Sequence, residues 1–538
     1  MLLILSARIV GEDIAMHYGR LPPSFLPLGN QRLFAMQAER AAGEGCAMTV
    51  PDHFEIQEID RQALAADGIE ILPQPPGLSL TGALAHALDA LAPAMQPGEP
   101  LRLLYGDTLV RMPEITPAAD LVAVQETTAN YQWAYVSQDA DGGLFSDAAP
   151  EKLETRRVVC GYYVFSDPAL LARACASGSI VEALNIYHEA RPLTLVETED
   201  WFDFGHLPLY FQSKKSIMIK RVFNDIRYEN HVLIKQSEDT AKIRAEANWY
   251  EHLPADLQIH VPRYRGRVER NFRAGYAIEY LYHPLLSDLD AFGTLPLSSW
   301  LEILSACFEF IDKCQAIGPD PGAPEASVSF ASDFFEQVVV EKTWTRLKTY
   351  TDAAGISLSD RFRLNGRDLP PLETVIGRLI AAVPPTGPEH IRFWHGDLFL
   401  GNMFYDFTAR RILAIDPRGQ IDRSGPCLYG DWRYDLAKLA HSIIGQYDKI
   451  ILGRSTLDEV GPRDWVLSHA GQDHQAHIEE IFLSQVTGRY GISSSELLAL
   501  TALLFFSMLP LHGDRPDLQR QMLANGLRLA CLIEGVCA

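Results

Sequence analysis

His395-Gly396-Asp397, Asn402 five positions after that Asp, and Asp416 at the end of an apolar run stand together in the stretch IRFWHGDLFLGNMFYDFTARRILAIDPRG, residues 391–419. A carboxylate on a loop that leaves an apolar segment suits a substrate hydroxyl, as base or as orienting group. An amide oxygen and a second carboxylate suit a hard cation such as Mg²⁺. Phosphoryl transfer asks for these parts, because its nucleophile must be aimed and its metal must bridge nucleotide phosphates. A second His-Gly-Asp occurs at His512-Gly513-Asp514, but Gln519 stands five positions after that Asp and no apolar strand bearing an acid follows. Asp514 reads as a loop or helix-cap residue.

The pattern H-G-D-x-x-x-x-N followed by Ile415-Asp416 resembles the catalytic and metal loops of the aminoglycoside phosphotransferase and choline kinase family, relatives of the protein kinases. The resemblance implies Asp397 as the catalytic base, Asn402 and Asp416 as Mg²⁺ ligands, and His395 as the residue that steadies the loop. Arg418 would either meet the transferred phosphate or neutralise the local acids. Upstream, Lys235 in Val-Leu-Ile-Lys would reach the α/β-phosphates of ATP, and Glu246 in Ile-Arg-Ala-Glu-Ala would orient it through an ion pair. Glu279-Tyr280-Leu281 falls at the hinge, whose backbone groups would hold the purine. Gly430-Asp431-x-x-Tyr434-Asp435-Leu-Ala matches a further family segment, with Asp435 expected to anchor loop backbone and Asp431 to cap a helix. Trp432, Tyr434 and Trp344 are candidates to cage a quaternary amine, though aromatics are more often core.

The elements that must position these residues follow from the same half of the chain. Two strands are expected at 217–223 and 231–235 around a turn at 224–230, then a helix at 237–253 and a strand and hinge at 276–282. From Leu297 onward the pattern turns helical, with helices at 300–316, 333–350, 372–383 and 497–509, the last capped by Ser493. The expectation is a bilobal α+β, protein-kinase-like domain over 213–538, with lobes at about 213–285 and 286–538.

The N-terminal half alternates strands (2–5, 69–72, 101–105, 121–125) with helices (32–42, 81–91). Such alternation predicts an α/β, doubly wound parallel sheet over 1–212, with ligands at the carboxyl ends of its strands. Two acids stand after strand-like runs, Asp107 behind Leu101–Tyr105 and Asp203 between aromatics. This pair resembles the two carboxylates that flank one Mg²⁺ in the sugar-1-phosphate nucleotidyltransferases. Residues 21–29, LPPSFLPLG, resemble that family's P-K-x-L-x-P segment. Thr81-Gly82-Ala83-Leu84 resembles its base-contacting loop, and Gly161-Tyr-Tyr-Val-Phe165 the strand under the sugar. The family's opening G-x-G-x-R loop is Ser6-Ala7-Arg8-Ile9-Val10-Gly11 here, and its lysine falls on Ser24. Arg8, Arg20 or Lys152 would then supply positive charge to a bound CTP, GTP or UTP.

Lys and Arg total 47 against 69 Asp and Glu, a net charge of −22. A field of that sign repels nucleic acid and anionic membranes and points to small-molecule partners; it sets no oligomeric state. The eight cysteines lack a C-x-x-C pair and lie mostly in apolar runs, which predicts reduced thiols and a cytoplasmic protein. MLLILSARIV has no basic start or cleavage site and reads as a strand, and the apolar run 497–509 is short for a membrane span. The sequence therefore predicts a bifunctional enzyme. Its C-terminal half would phosphorylate a small sugar-like or choline-like alcohol, and its N-terminal half would join that phosphate to a nucleotide for surface polysaccharide or lipid decoration. Two rivals are a kinase with a non-catalytic N-terminal binding module and an antibiotic-modifying phosphotransferase.

Overall fold

The structure, a computed structural model, describes residues 1–538 apart from 42, 97, 113–119, 138–142, 150–154, 222–225, 230, 422–424, 472 and 473, and apart from the side chains of 218–221. It divides into two compact units, Met1–Met218 and Ile219–Ala538.

The first unit is built on strand Leu2–Leu5, all four residues buried, with Cys46–Pro51 and Leu101–Tyr105 as parallel neighbours. Ile69–Gln74 adds a fourth parallel strand beside Cys46–Pro51. Unbroken apolar strands of this kind are what a sheet covered on both faces requires. Past Leu101–Tyr105 the expected parallel sheet becomes mixed. Arg156–Phe165 runs antiparallel both to Leu101–Tyr105 and to Leu121–Thr127. A parallel return needs a long crossover, usually a helix. Between residues 127 and 156 the described chain carries the short strands Tyr135–Val136 and Phe145–Ser146 instead. Thr194–Glu197 arrives through helix Ile180–Ala190 and does pair in parallel, with Leu121–Thr127. Gly161 sits in a bulge with φ 74°, where a side chain would meet the Tyr105 ring at 2.9 Å.

A two-stranded ribbon beside this sheet pairs Thr108–Arg111 with Asp200–Asp203, and its register sets Asp203 opposite Thr108. That pairing, and not a shared row of parallel strand ends, carries Asp203 to Asp107.

The second unit opens with a four-stranded antiparallel sheet in the order Ile226–Glu229, Val232–Ser237, Arg273–Glu279, Tyr264–Arg270. Helix Thr240–Glu251 packs on it, capped by Asp239, whose carboxylate accepts from Lys242 N–H. The strand expected over 217–223 is corrected: helix Leu207–Arg221 runs through its first five positions, and the rest lies outside the described residues. Once nucleated, a helix gains one hydrogen bond per residue added, and no Gly or Pro stops this one after Pro208. The turn expected at 224–230 also falls partly outside the description. The remainder is mainly helical, including Leu297–Gln315, Leu372–Ala381, Arg433–Ile443 and Ser494–Met508. An unanticipated sheet brings Arg363–Leu364 and Arg367–Asp368 beside Ser455–Gly461 and Asp464–His469. Ser493 caps Ser494–Met508 through Glu496 N–H. By length and composition 494–512 would cross a membrane, yet Leu497 through Met508 are all buried within the unit. All eight cysteines are free, with the Cys531 and Cys537 sulfurs 2.9 Å apart.

Candidate active sites

In the second unit, strand Ile391–Phe393, paired with Tyr429–Asp431, delivers the His395-Gly396-Asp397 loop. Asp435, in the first turn of helix Arg433–Ile443, fixes that loop: its two carboxylate oxygens accept from His395 N–H and Gly396 N–H, both at 2.8 Å. Burial raises the Asp435 carboxyl to about 7, against the pull of those two bonds. Gly396 has φ 77°, and a side chain there would strike the Arg418 Cβ at 2.7 Å. His395 Nε2 lies 3.0 Å from the Ile415 carbonyl, which can only accept, so Nδ1 is the bare nitrogen facing Asp397 N–H at 3.3 Å. Burial lowers the imidazole to about 4. His395 is thus a neutral brace for the loop, with its one N–H committed to the Ile415 carbonyl.

Asp397 receives Lys438 Nζ at 2.8 Å and the Asn402 amide N–H at 3.2 Å, and Asn402 also donates to the Asp397 carbonyl at 3.0 Å. Burial alone would raise this carboxyl; the Lys438 charge and hydrogen bond, with His395 and Arg418, hold it below the usual range. Asp397 is therefore ionised and aimed. With its N–H₂ turned to Asp397, Asn402 keeps its amide oxygen for another partner. Asp416 adopts a left-handed backbone, φ 57°, and its carboxylate lies 3.0 Å from Lys235 Nζ. Lys235 also meets Glu246 at 2.8 Å, and Tyr276 Oη donates to Glu246 at 3.0 Å. Burial works against the Lys235 ammonium, but Asp416 and Glu246 more than offset it and its pKa is raised.

Among the described residues no cluster of three His, Cys, Asp or Glu side chains offers a metal an all-protein cage. One carboxylate and one amide oxygen, completed by phosphates, are a donor set that fits Mg²⁺. Arg418 lies with its guanidinium carbon 5.6 Å from the Trp394 ring centre and 5.7 Å from that of Tyr434, and it donates to the Ile421 carbonyl. At the hinge, the N–H groups of Glu279 and Tyr280 are taken by the carbonyls of Arg263 and His231, while Leu281 follows the strand end. Trp432 and Tyr434 do not gather into a cage: their rings pack against Tyr490 and Trp394 respectively. Lys438 and Lys342 escaped the sequence reading. The signal for Lys438 was its place three residues after Asp435, on the same helix face.

In the first unit, Asp107 and Asp203 converge. A methyl placed on Gly205 would lie 2.8 Å from one Asp107 oxygen and 3.4 Å from one of Asp203, so both carboxylates face one small space. Trp133 Nε1–H donates to Asp203 at 2.7 Å and Gly205 N–H at 2.8 Å. Burial first, and then the Asp203 charge, raises Asp107 to about 6. Two buried carboxylates this close repel, and a cation between them is the natural compensation. They border a cavity of about 690 Å³ that Arg8, Pro23, Leu80, Ala83 and Trp133 also line. Arg20 stands apart on the surface, 3.8 Å from Glu12. Gly82 lies in helix Leu80–Leu91 with its N–H taken by Ser79 Oγ at 3.0 Å. Ser24 is buried and donates to the Gly106 carbonyl, so no cation stands at that place. Lys152 lies outside the described residues. Trp133 was not foreseen, because nothing local links it to an acid 70 positions away.

Residues 231–454 match the model of the phosphotransferase enzyme family, and the C-terminal part of the chain carries a domain of that family. No curated protein matches the chain. Among solved structures, an aminoglycoside-3′-phosphotransferase of type VIII is similar at 17% identity, over 51% of this chain and 84% of that one, with TM-score 0.31. HddC from Yersinia pseudotuberculosis is similar at 13% identity, over 40% of this chain and 98% of its own, with TM-score 0.29. The inositol-1-phosphate CTP transferase from T. maritima is similar at 11% identity, over 40% and 95%, with TM-score 0.30.

Proposed function

We propose that the chain is a bifunctional enzyme whose C-terminal unit moves the γ-phosphoryl group of ATP to a hydroxyl of a small metabolite, and whose N-terminal unit joins the resulting phosphate to a nucleotide. The observation that supports the first half is the contact of Asp397 with Asn402 and of Lys235 with both Glu246 and Asp416, residue types that phosphoryl transfer uses, drawn from separate elements. Ionised Asp397 accepts or orients the acceptor hydroxyl. Asn402 and Lys438 hold that carboxylate in place. Lys235, now shared between Glu246 and Asp416, is positioned to bind nucleotide phosphate, leaving Asp416 and the Asn402 oxygen as the Mg²⁺ ligands. The bound ion would supply charge neutralisation of the phosphates.

The second half rests on Asp107 and Asp203 facing one space beside a cavity of nucleotide size. There a substrate phosphate would attack the α-phosphorus of CTP, GTP or UTP, with pyrophosphate leaving. The product would be a nucleotide-activated precursor for surface polysaccharide or lipid decoration in the cytoplasm. Incubating the protein with each of ATP, CTP, GTP and UTP over choline, hexoses, heptoses, sugar phosphates and sugar acids, with product masses recorded, tests the reading. It requires a phosphorylated acceptor and then a nucleotide diphosphate conjugate. A second reading, in which the N-terminal unit only binds or regulates, is favoured by Ser24 standing where a lysine would meet phosphate. It predicts a phosphorylated acceptor and no pyrophosphate.

A further inference from the structure

Four cations gather around Tyr434 beside the Asp397 loop. Lys342 Nζ donates to Tyr434 Oη at 3.1 Å and lies 5.5 Å from its ring centre. The Arg418 guanidinium carbon lies 5.7 Å from the centre of the same ring and 5.6 Å from that of Trp394. Lys438, one helical turn after Tyr434, holds Asp397. Arg346, one turn after Lys342 on helix Lys342–Ala354, gives an N–H to the Ser507 carbonyl at 3.0 Å. Among the described residues, the one carboxylate within ion-pair distance of any of the four is Asp397, on Lys438.

This concentration of positive charge runs against the whole chain, which carries −22. Among the described residues Lys342, Arg346 and Arg418 have no carboxylate within ion-pair distance, and half-buried cations served only by neutral acceptors and the Tyr434 oxygen are costly to keep. The neighbouring titrations carry the same sign. Burial, with like charge from Arg418 and Arg346, pushes Lys342 down to about 8. Burial alone would raise Tyr434, yet Lys342, Lys438 and Arg418 draw it down to about 7. A cationic alcohol would be repelled here, whereas an anion would complete the missing half of the cluster.

Resting on the phosphotransferase reading of this unit, we infer that Lys342, Arg346 and Arg418, with the Tyr434 hydroxyl, form a subsite for an anionic group, phosphate or carboxylate, on the acceptor whose hydroxyl Asp397 addresses. In the step so oriented, the acceptor oxygen bonds to the γ-phosphorus and the bond from γ-phosphorus to the bridging oxygen breaks. ADP leaves, and the hydroxyl proton passes to Asp397. Lys438 joins the two parts, because it lies on the Tyr434 helix and holds the reacting carboxylate.

The test measures ADP release by the full chain with MgATP over four arms: glucose and myo-inositol, glucose 6-phosphate and ribose 5-phosphate, glucuronate and glycerate, and choline and kanamycin. Turnover confined to the second or third arm is expected, and which of the two responds identifies the anion as phosphate or carboxylate. Lys342→Met and Arg346→Met should each raise KM for that acceptor about 10-fold or more, the scale of a lost charge-assisted bond. Affinity for MgAMP-PNP by calorimetry should stay within about 2-fold, which also reports that each variant is folded. Arg346→Lys should recover part of the loss. Better kcat/KM for the neutral or cationic arm, or unchanged acceptor KM in both Met variants, overturns the subsite while leaving the kinase reading intact. Weakened MgAMP-PNP binding in the Met variants with acceptor KM unmoved assigns the cluster to the nucleotide and likewise overturns it. If the wild-type chain does not bind MgAMP-PNP at all, the phosphotransferase reading fails, and the subsite fails with it.

Discussion

The two units solve the problem of a buried acid in opposite ways. In the C-terminal unit each working carboxylate has its own ammonium: Lys438 on Asp397 at 2.8 Å and Lys235 on Asp416 at 3.0 Å. In the N-terminal unit Asp107 and Asp203 share a space, and the donors to Asp203 are the neutral N–H groups of Trp133 and Gly205. The consequence shows in their acidity. Asp397 is held below the ordinary carboxylate range, whereas Asp107 is pushed up to about 6. A lysine-paired site is organised before any ligand arrives, but a carboxylate pair without a cation stores repulsion that a divalent ion relieves. The first site should therefore keep its geometry when metal is removed, and the second should not.

The largest effects should come from removing one proposed metal ligand from each unit. Asp416→Ala should abolish metal-dependent ATP turnover; if MgATP affinity and rate are both unchanged, Asp416 is a turn residue. Asp203→Ala should abolish pyrophosphate release and spare phosphorylation of the acceptor, measured in the same preparation. Asp397→Asn comes next, with phosphorylation lowered at least ~10²-fold while MgAMP-PNP affinity is kept. Wild-type turnover by that variant would remove Asp397 from the chemistry.

The smallest expected effect concerns stability. The folded state holds the Asp107 proton more tightly than the unfolded chain, whose carboxyl titrates near about 4. Its contribution is thus full below that pH and is lost as pH rises through about 6. At pH 7.5 without divalent metal, Asp107→Asn should raise the melting midpoint of the N-terminal unit by ~2–4 °C. Adding Mg²⁺ should raise the wild-type midpoint more than the variant's. Equal midpoints with and without Mg²⁺ would show that no repulsion is stored there.

What was legible in the sequence follows the range of the interactions. The Asp397 and Asn402 pair is held by a short loop, and Lys235 and Glu246 lie 11 positions apart on a strand and the helix after it, so local motifs and the family resemblance they carry were enough. Asp107 and Asp203 were legible as a pair through resemblance, but their convergence was expected from parallel strand ends. The antiparallel register Asp203–Thr108 produces it. Pairings at that sequence distance depend on tertiary packing, which propensity does not encode. The same holds for Lys342, which meets Tyr434 across 92 positions, and for Trp133. The helix through 217–221 and the buried strand Cys46–Pro51 were missed because short apolar runs fit either state.

The most direct test of the two-site account is product mass from two single variants given the accepted alcohol, MgATP and the preferred nucleoside triphosphate. Asp107→Ala should accumulate the phosphorylated acceptor and make no nucleotide conjugate. Asp397→Asn should make neither from the alcohol, yet yield the conjugate at the wild-type rate once the phosphorylated acceptor is supplied. Conjugate formed by Asp107→Ala, or none formed by Asp397→Asn from the supplied phosphate, would contradict a chain that carries both reactions.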